Sequence, residues 1–583
     1  MQFRFFVLFF SFLMCIGLQA QQSTYSQNYF RNPLGIPIQL SANFGELRSG
    51  HWHMGLDIRT NQRENQPVYA AADGYISHIG IRSNSFGRFI VINHPNGLST
   101  LYAHLNDFFP ELENYVVEQQ YKQESWAVEL DFNKDQFPVK KGKFIAYSGN
   151  TGGSLGPHLH FEIFDTKTTK RLNPLLFGMP VTDNMAPTVV RLALYDRTKS
   201  LYEQSPQLFL LTKSGGDYVI KGNSLIKTDL NKLSFAIQTY DKSSSGSSPN
   251  GIFSAQLDVD DVPQIMFLLD SIDYDETAYI NAQIDYKHDY NGGVYLQHLS
   301  CMPGDKGPVY KKIKSDGVIE LNDTDVHEVQ IEVKDANGNS SLVKFEIQKN
   351  ESSSPVEEER SGASKVIPNT ALIIGKPGFE VFIPKSGVYD TVNQTYIRNE
   401  KIPVHAVSVE HKIMDEFVPL HSNITVRIKA DKKIPDDWRS KIIIQRSGKG
   451  NSVRKATWEG EWMVASFGDF GTFQAFADII PPSVNELGKG DTINLSSSSR
   501  ILFTPRDNFE VIRNFRAELD GKWLCFTNDK GKNWIYKFDD RCPYGVHHLK
   551  IYFEDIVGNS LEKEWWFRRE PYTPPKKKTS KKK

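Results

Sequence analysis

Apolar and polar positions alternate with a period of two through short runs along most of the chain, and Gly, Asn and Pro punctuate them; this pattern predicts β-strands joined by tight turns. In "GPHLHFEIF" (156–164) it puts Leu159, Phe161 and Ile163 toward a core and His158, His160 and Glu162 together on the outward face. "FIVINHPNGLSTLYAHL" (89–105) reads as a hairpin about a Pro-Asn-Gly turn. "QPVYAAADGYISHIG" and "GKFIAYSGNTGG" have the same character. No stretch of residues 33–178 shows helical periodicity, so a compact β domain is expected there.

The rest is also β-rich but modular. "HEVQIEVKDANGNSS" (327–341) and "HHLKIYFEDIVGNSL" (547–561) repeat one strand-turn-strand unit, with Asp335 matching Asp555 and Gly338-Asn339-Ser340 matching Gly558-Asn559-Ser560. Each closes a module that opens on a similar phrase, "APTVV" at 186 and "PPSVN" at 481. The expected fold class is therefore mainly β, an N-terminal domain followed by several β-sandwich-like modules. Residues 185–349 and 479–570 are read as immunoglobulin-like regions, 350–364 as a polar linker and 365–478 as a further β-rich domain. The Lys-rich end, 571–583, is read as a disordered tail.

Composition narrows the class. A net charge of -1 with 39% hydrophobic and 12% aromatic residues fits an ordinary folded protein and gives no sign of a nucleic-acid partner. Residues 1–20 carry Arg4, an apolar run to Leu18 and Ala20 before a polar stretch, the pattern of a cleaved secretory signal. Export to the periplasm or cell envelope is expected, with no transmembrane segment after signal removal. Cys301, Cys525 and Cys542 then remain, and a Cys525–Cys542 disulfide and buried free thiols are both open.

The candidate chemistry lies in four pieces: "HWHMGLD" (51–57), "LYAHL" (101–105), "GNTGGSLG" (149–156) and "PHLHFEI" (157–163). A catalytic zinc takes three His or carboxylate ligands and keeps one position open, and His53, Asp57 and His160 would supply two imidazoles and a carboxylate. Gly55 would let a strand bend so that His53 and Asp57 converge. Glu162 is either a partner that orients a histidine or an exposed carboxylate without a role.

This ordered set resembles the LytM/lysostaphin-type zinc metallopeptidases, family M23, over roughly residues 40–165. The resemblance implies a Zn2+ cofactor held by His53, Asp57 and His160, with His104 and His158 as the catalytic pair. It implies a metallopeptidase domain over 33–178 whose substrate is the peptide cross-link of peptidoglycan. In that scheme His158 acts as general base or holds the water for attack, and His104 stabilises the oxyanion. Two other functions stay open: a non-catalytic envelope scaffold that activates another wall hydrolase, and an envelope peptidase with a protein substrate. The β modules are read as surfaces for envelope protein partners. An insert at about 106–138 departs from the family and is expected to form a flap near the groove. His51 is a weak alternative ligand; His94, His327 and His547 look structural, and His78 stands in no motif.

Overall fold

The computed structural model describes residues 25–244, 246, 248–351 and 364–573. The signal segment, most of the 350–364 linker and residues 574–583 of the tail lie outside the described residues. Among the described residues no helix is long and apolar enough to cross a membrane.

The N-terminal domain is built on one twisted sheet. Its main path runs through strands β1 (Leu40–Ala42), β2 (Leu56–Arg59), β3 (Gly74–Ile81), β4 (Arg88–Asn93), β5 (Leu98–Ala103), β6 (Val128–Asp131) and β7 (His158–Asp165), in the spatial order β1-β2-β7-β5-β4-β3-β6. A smaller sheet of Pro67–Tyr69, Leu105–Phe108 and Phe144–Ser148 packs with it. The apolar sides of these strands meet in one core, where Leu56, Ile58, Ile79, Ile90, Tyr102, Leu159, Phe161 and Ile163 are all fully buried. Each such side chain contributes about 1.5–3 kcal/mol of transfer free energy.

The alternation in β7 holds, but its polar side is not outward: His160 is 6% exposed and Glu162 0%. The reason is the next module. Its Ser271–Ile272 strand pairs with Arg171–Leu172, which pairs with β7, and Tyr274 follows directly, so the second module covers the face that sequence alternation leaves open.

The 106–138 insert differs from expectation in two ways. It contains a helix, α1 (Pro110–Gln123), with Pro at its start, Glu111 and Glu113 in the first turn, and Glu124 in the left-handed conformation after its end. Only Leu112, Val116 and Gln120, one residue per turn, are buried, too narrow a stripe to read as helical periodicity. The insert is also not a flap over the groove. Phe109, Leu112, Val116, Phe132 and Phe137 join the domain core, and β6 extends the sheet edge against β3. Apolar anchoring on both sides of α1 holds the segment away from the groove lining.

Downstream, residues 188–349 form a large sheet in which hairpin strands Val326–Lys334 and Ser340–Lys349 pair over their whole length. Residues 365–478 form two five-stranded sheets around Val381, Ile424, Val426, Phe467 and Phe473. The last module has a five-stranded sheet with the hairpin Gly545–Asp555 and Ser560–Arg569, and a two-stranded sheet facing it. Cys301, Cys525 and Cys542 are all free thiols, so the Cys525–Cys542 pairing is not made. Cys542 is committed to the core of the last module, while the Cys525 backbone N–H faces Tyr121 Oη on α1.

Candidate active site

Two strands and one bend bring the predicted ligands together. The chain bends at Gly55 between the short strand His51–Trp52 and β2, which turns His53 back over Asp57. A Cβ at Gly55 would stand 2.5 Å from the Phe161 carbonyl oxygen and 3.1 Å from His160 Cε1, so only glycine lets the bend approach β7 this closely. The β2–β7 register sets His160 directly opposite Asp57. The result is a tight triangle: His53 Nε2 to Asp57 Oδ1 is 3.0 Å, His160 Nδ1 to Asp57 Oδ1 is 2.9 Å, and His53 Nε2 to His160 Nδ1 is 3.0 Å.

The surrounding hydrogen bonds decide what those atoms are. His53 Nδ1 donates to the Asn43 carbonyl at 2.7 Å, and burial holds this ring below the usual histidine pKa, so the neutral ring presents a lone pair at Nε2. His160 Nε2 faces Glu162 Oε1 at 2.9 Å, which gives that nitrogen the proton and directs Nδ1 at the triangle. Asp57 is charged: burial opposes ionisation, but His53 and the facing rings of His158 and His160 outweigh it and hold the carboxyl well below its ordinary range. Arg48 binds Asp57 Oδ2 at 2.8 Å and leaves Oδ1 for the triangle.

Three ligand atoms thus converge, and with no ion among them a proton on His160 Nδ1 bridges to Asp57. Two imidazole nitrogens and one carboxylate oxygen are a zinc donor set, so the residues present fit that ion. Without it, burial pushes His160 down, but its bonds to Asp57 and Glu162 outweigh burial and hold it up at about 9. Metal uptake therefore displaces a proton from this ring.

Glu162 orients a histidine. It is fully buried between His160, Arg171 Nε at 2.9 Å and the Tyr274 hydroxyl. Burial raises its pKa, yet these three partners bring it below the ordinary value.

His104 and His158 stand beside the triangle with ring centroids 4.7 Å apart. His104 follows β5 in a left-handed conformation (φ 58°), which swings its ring off the sheet toward the groove. Its Nδ1 donates to the Thr151 carbonyl at 2.8 Å. Burial first, then the charges of His158 and His160, press its pKa down to about 3, so the ring is neutral and its Nε2 is an acceptor. His158 Nδ1 donates to the Gly156 carbonyl at 2.8 Å, and Nε2 lies 3.4 Å from Asp57 Oδ1.

All five predicted residues line one groove of about 1490 Å³, together with Arg48, Arg59, Ser85, Phe86, Leu155 and Tyr274. His51 is an exposed rim residue, and its Nδ1 faces Ser49 O rather than the triangle. His94 ties Asp73 O to Thr100 Oγ1 and is structural, as expected. Sequence reasoning missed Arg48 and Arg171, each nine residues from its carboxylate partner across a turn, and Tyr274, whose partner Glu162 is 112 residues away. It also missed a contact from the far end of the chain: Asp529 Oδ1 accepts from Gly152 N at 2.7 Å, and Lys530 Nζ donates to Ser154 O at 2.6 Å.

Comparison with known proteins places the site in context. Residues 365–478 match the model of a Zu5-like domain. The chain is similar to an uncharacterized metalloprotease of Haemophilus influenzae, 30% identical over 173 residues that cover 28% of this chain and 30% of that protein. It is similar to the DD-carboxypeptidase/endopeptidase Mpg of Neisseria meningitidis, 31% identical over 153 residues, 25% of this chain and 29% of the relative. It is also similar to the murein hydrolase activator NlpD of Salmonella dublin, 33% identical over 135 residues, 23% and 28% of the two chains. The chain thus spans about three tenths of the length of these curated relatives. The model of peptidase family M23 matches residues 51–122, which include His53, Asp57 and His104 and stop short of His158 and His160. This chain carries a peptidase family M23 domain.

Proposed function

We propose that the chain is an exported zinc metalloendopeptidase that hydrolyses peptide cross-links of peptidoglycan. The observation that carries this reading is the convergence of three possible metal-ligand atoms, from His53, Asp57 and His160, beside two further histidines in an open groove. Zinc, when bound there, supplies Lewis acidity toward a carbonyl oxygen and toward water. His158 Nε2 takes the proton of the attacking water as its oxygen bonds the scissile carbonyl carbon, and returns it to the amine nitrogen as the C–N bond breaks. His104 has a different part from the oxyanion donor expected from sequence. A neutral ring with Nδ1 committed to Thr151 O accepts a hydrogen bond at Nε2, so it orients the water rather than donating to the carbonyl oxygen. Arg48 and Glu162 keep Asp57 and His160 in place.

Similarity to a DD-carboxypeptidase/endopeptidase, Mpg, supports peptidase activity, and similarity to a murein hydrolase activator, NlpD, supports a second reading in which the groove serves a partner hydrolase. One experiment separates them. The zinc-loaded chain is incubated with purified sacculi and the released fragments are identified by mass spectrometry. New amine and carboxyl ends within the cross-links are expected, and His104→Ala should retain zinc while losing about 10²-fold or more in turnover. If the intact protein releases nothing yet stimulates a second hydrolase, the activator reading replaces this one.

A further inference from the structure

The repeated module motifs have a role that the groove does not use. In the second module the carboxylates of Asp183, Asp241 and Asp335 converge within 4.8 Å, and in the last module those of Asp478, Asp507 and Asp555 do the same. The two sets correspond part by part. Asp183 and Asp478 stand at the joins with the preceding domains, each four residues before a proline, Pro187 and Pro482. Asp335 and Asp555 open the matching D-x-x-G-N-S turns. Even the supporting bonds repeat: Asn339 Nδ2 binds Asp335 Oδ2 and the Asp183 carbonyl, and Asn559 Nδ2 binds Asp555 Oδ2 and the Asp478 carbonyl.

Acidic residues alone do not make a site, and here the partners are the decisive feature. None of the six carboxylates forms an ion pair with a described Lys, Arg or His. Among the described residues Asp241 is 4% exposed with no hydrogen-bond partner for its Oδ1, and Asp478 is 0% exposed with none for its Oδ2. A neutral oxygen is orphaned as well. Asn250 exchanges both backbone hydrogen bonds with Asp241, which puts the two side chains on the same side of the ladder, and its buried Oδ1 has no partner among the described residues. Burial first, and then the neighbouring carboxylates, lift Asp241 to about 7 and Asp478 to about 6. Buried carboxylates gathered without counter-charges, with an oxygen of Asp241, Asp478 and Asp507 left unpartnered among the described residues, are costly unless something positive sits among them.

We propose that each aspartate set binds one calcium ion, so that the chain carries two oxygen-only cation sites at the entrances of its two repeated modules. Carboxylate, amide and backbone oxygens without nitrogen or sulfur suit a hard cation with a large coordination shell, which favours Ca2+ over the smaller, strictly octahedral Mg2+. The first site also reaches the groove. The segment that follows Asp241 places Gly246 in the groove lining and Ser248 Oγ on Arg59, and Gly251 is held by Asn43, whose carbonyl accepts from His53. A cation at this site staples one groove wall.

The test titrates Ca2+ alone into the chelator-treated full chain by calorimetry and follows thermal unfolding with Ca2+ or Mg2+. Two equivalents with dissociation constants of about 10⁻⁵–10⁻³ M are expected, with a rise in unfolding midpoint of about 5 °C at saturation. Asp241→Asn should remove one equivalent and Asp507→Asn the other. Asp241 Oδ1 has no partner to lose among the described residues, and the amide at 507 keeps an oxygen for the Phe509 N–H, so both variants keep the hydrogen bonds described there. In chelator the variants should unfold at or above the midpoint of the parent, because a repelling charge is gone; a purely structural carboxylate would give the opposite sign. Absence of Ca2+ binding, or binding that survives in both variants, overturns the proposal. One equivalent lost in Asp241→Asn alone keeps the first site and overturns the second. None of these readouts depends on peptidase activity.

Discussion

The groove triangle and the two aspartate sets each gather three ionisable side chains within 4.8 Å, yet they are prepared for different ions. In the triangle two of the three donors are imidazole nitrogens whose second nitrogens are committed, one to Asn43 O and one to Glu162. In the aspartate sets every donor is oxygen, and the supporting asparagines bind carboxylates without adding nitrogen ligands. The triangle keeps two further histidines at its open side, whereas each aspartate set is enclosed at a module boundary. The lesson is that the hydrogen bonds behind the donors, more than the number of acids, set what a cluster holds: a borderline ion with an open position for chemistry, or a hard ion that fastens domains.

The largest effect should come from breaking the triangle itself. Asp57→Ala removes the only carboxylate among the three ligands and leaves Arg48 with Glu46 alone, so the variant should lose zinc and about 10³-fold or more of its turnover. Elemental analysis after dialysis, beside sacculus release, checks both. Calcium binding at the two aspartate sets should be unchanged. Loss of calcium in the same variant would erase the distinction between the two kinds of site.

A smaller effect tests the supporting bonds. Glu162→Gln replaces the carboxylate that accepts from His160 Nε2 and also pairs with Arg171. Zinc affinity, measured by competition with a chromogenic chelator, should fall about 10–100-fold while the ligands remain. Equal affinity in parent and variant would show that His160 is oriented by its strand alone.

How much of this was legible in the sequence depends on the distance over which each feature is encoded. The alternation in 156–164 announced His158 and His160 on one side of a strand, and "HMGLD" announced a bend, because both are local. The register that sets His160 opposite Asp57 is not local, and neither is Tyr274, which reaches Glu162 from a second module. Helix α1 escaped because it buries one residue per turn. The aspartate sets were half visible: the match of Asp335 to Asp555 lay in the repeat, but Asp183, Asp241, Asp478 and Asp507 come from separate segments, and no pattern of spacing joins them before the chain folds.

The smallest effect concerns the far end of the chain, where the comparison extends to how a module boundary meets the groove. Lys530 sits in a left-handed conformation (φ 62°), its backbone N–H donating to Ser83 O and its Nζ to Ser154 O, while Asp529 takes the Gly152 N–H. On the other flank of this contact Arg516 pairs with Glu124, and Trp523 packs on Tyr121 of α1. The last module therefore braces the glycine-rich loop from outside without entering the triangle. Asp529→Ala removes one acceptor from a loop amide, worth about 1 kcal/mol, which should speed hydrogen exchange at Gly152 and Gly153 by about 5–10-fold. Because the loop carries Thr151 O, the partner of His104, and Gly156 O, the partner of His158, the Michaelis constant should rise by about 2–5-fold with zinc content unchanged. Exchange rates equal to those of the parent would mean that the loop is rigid by itself, and that the last module rests on it without holding it.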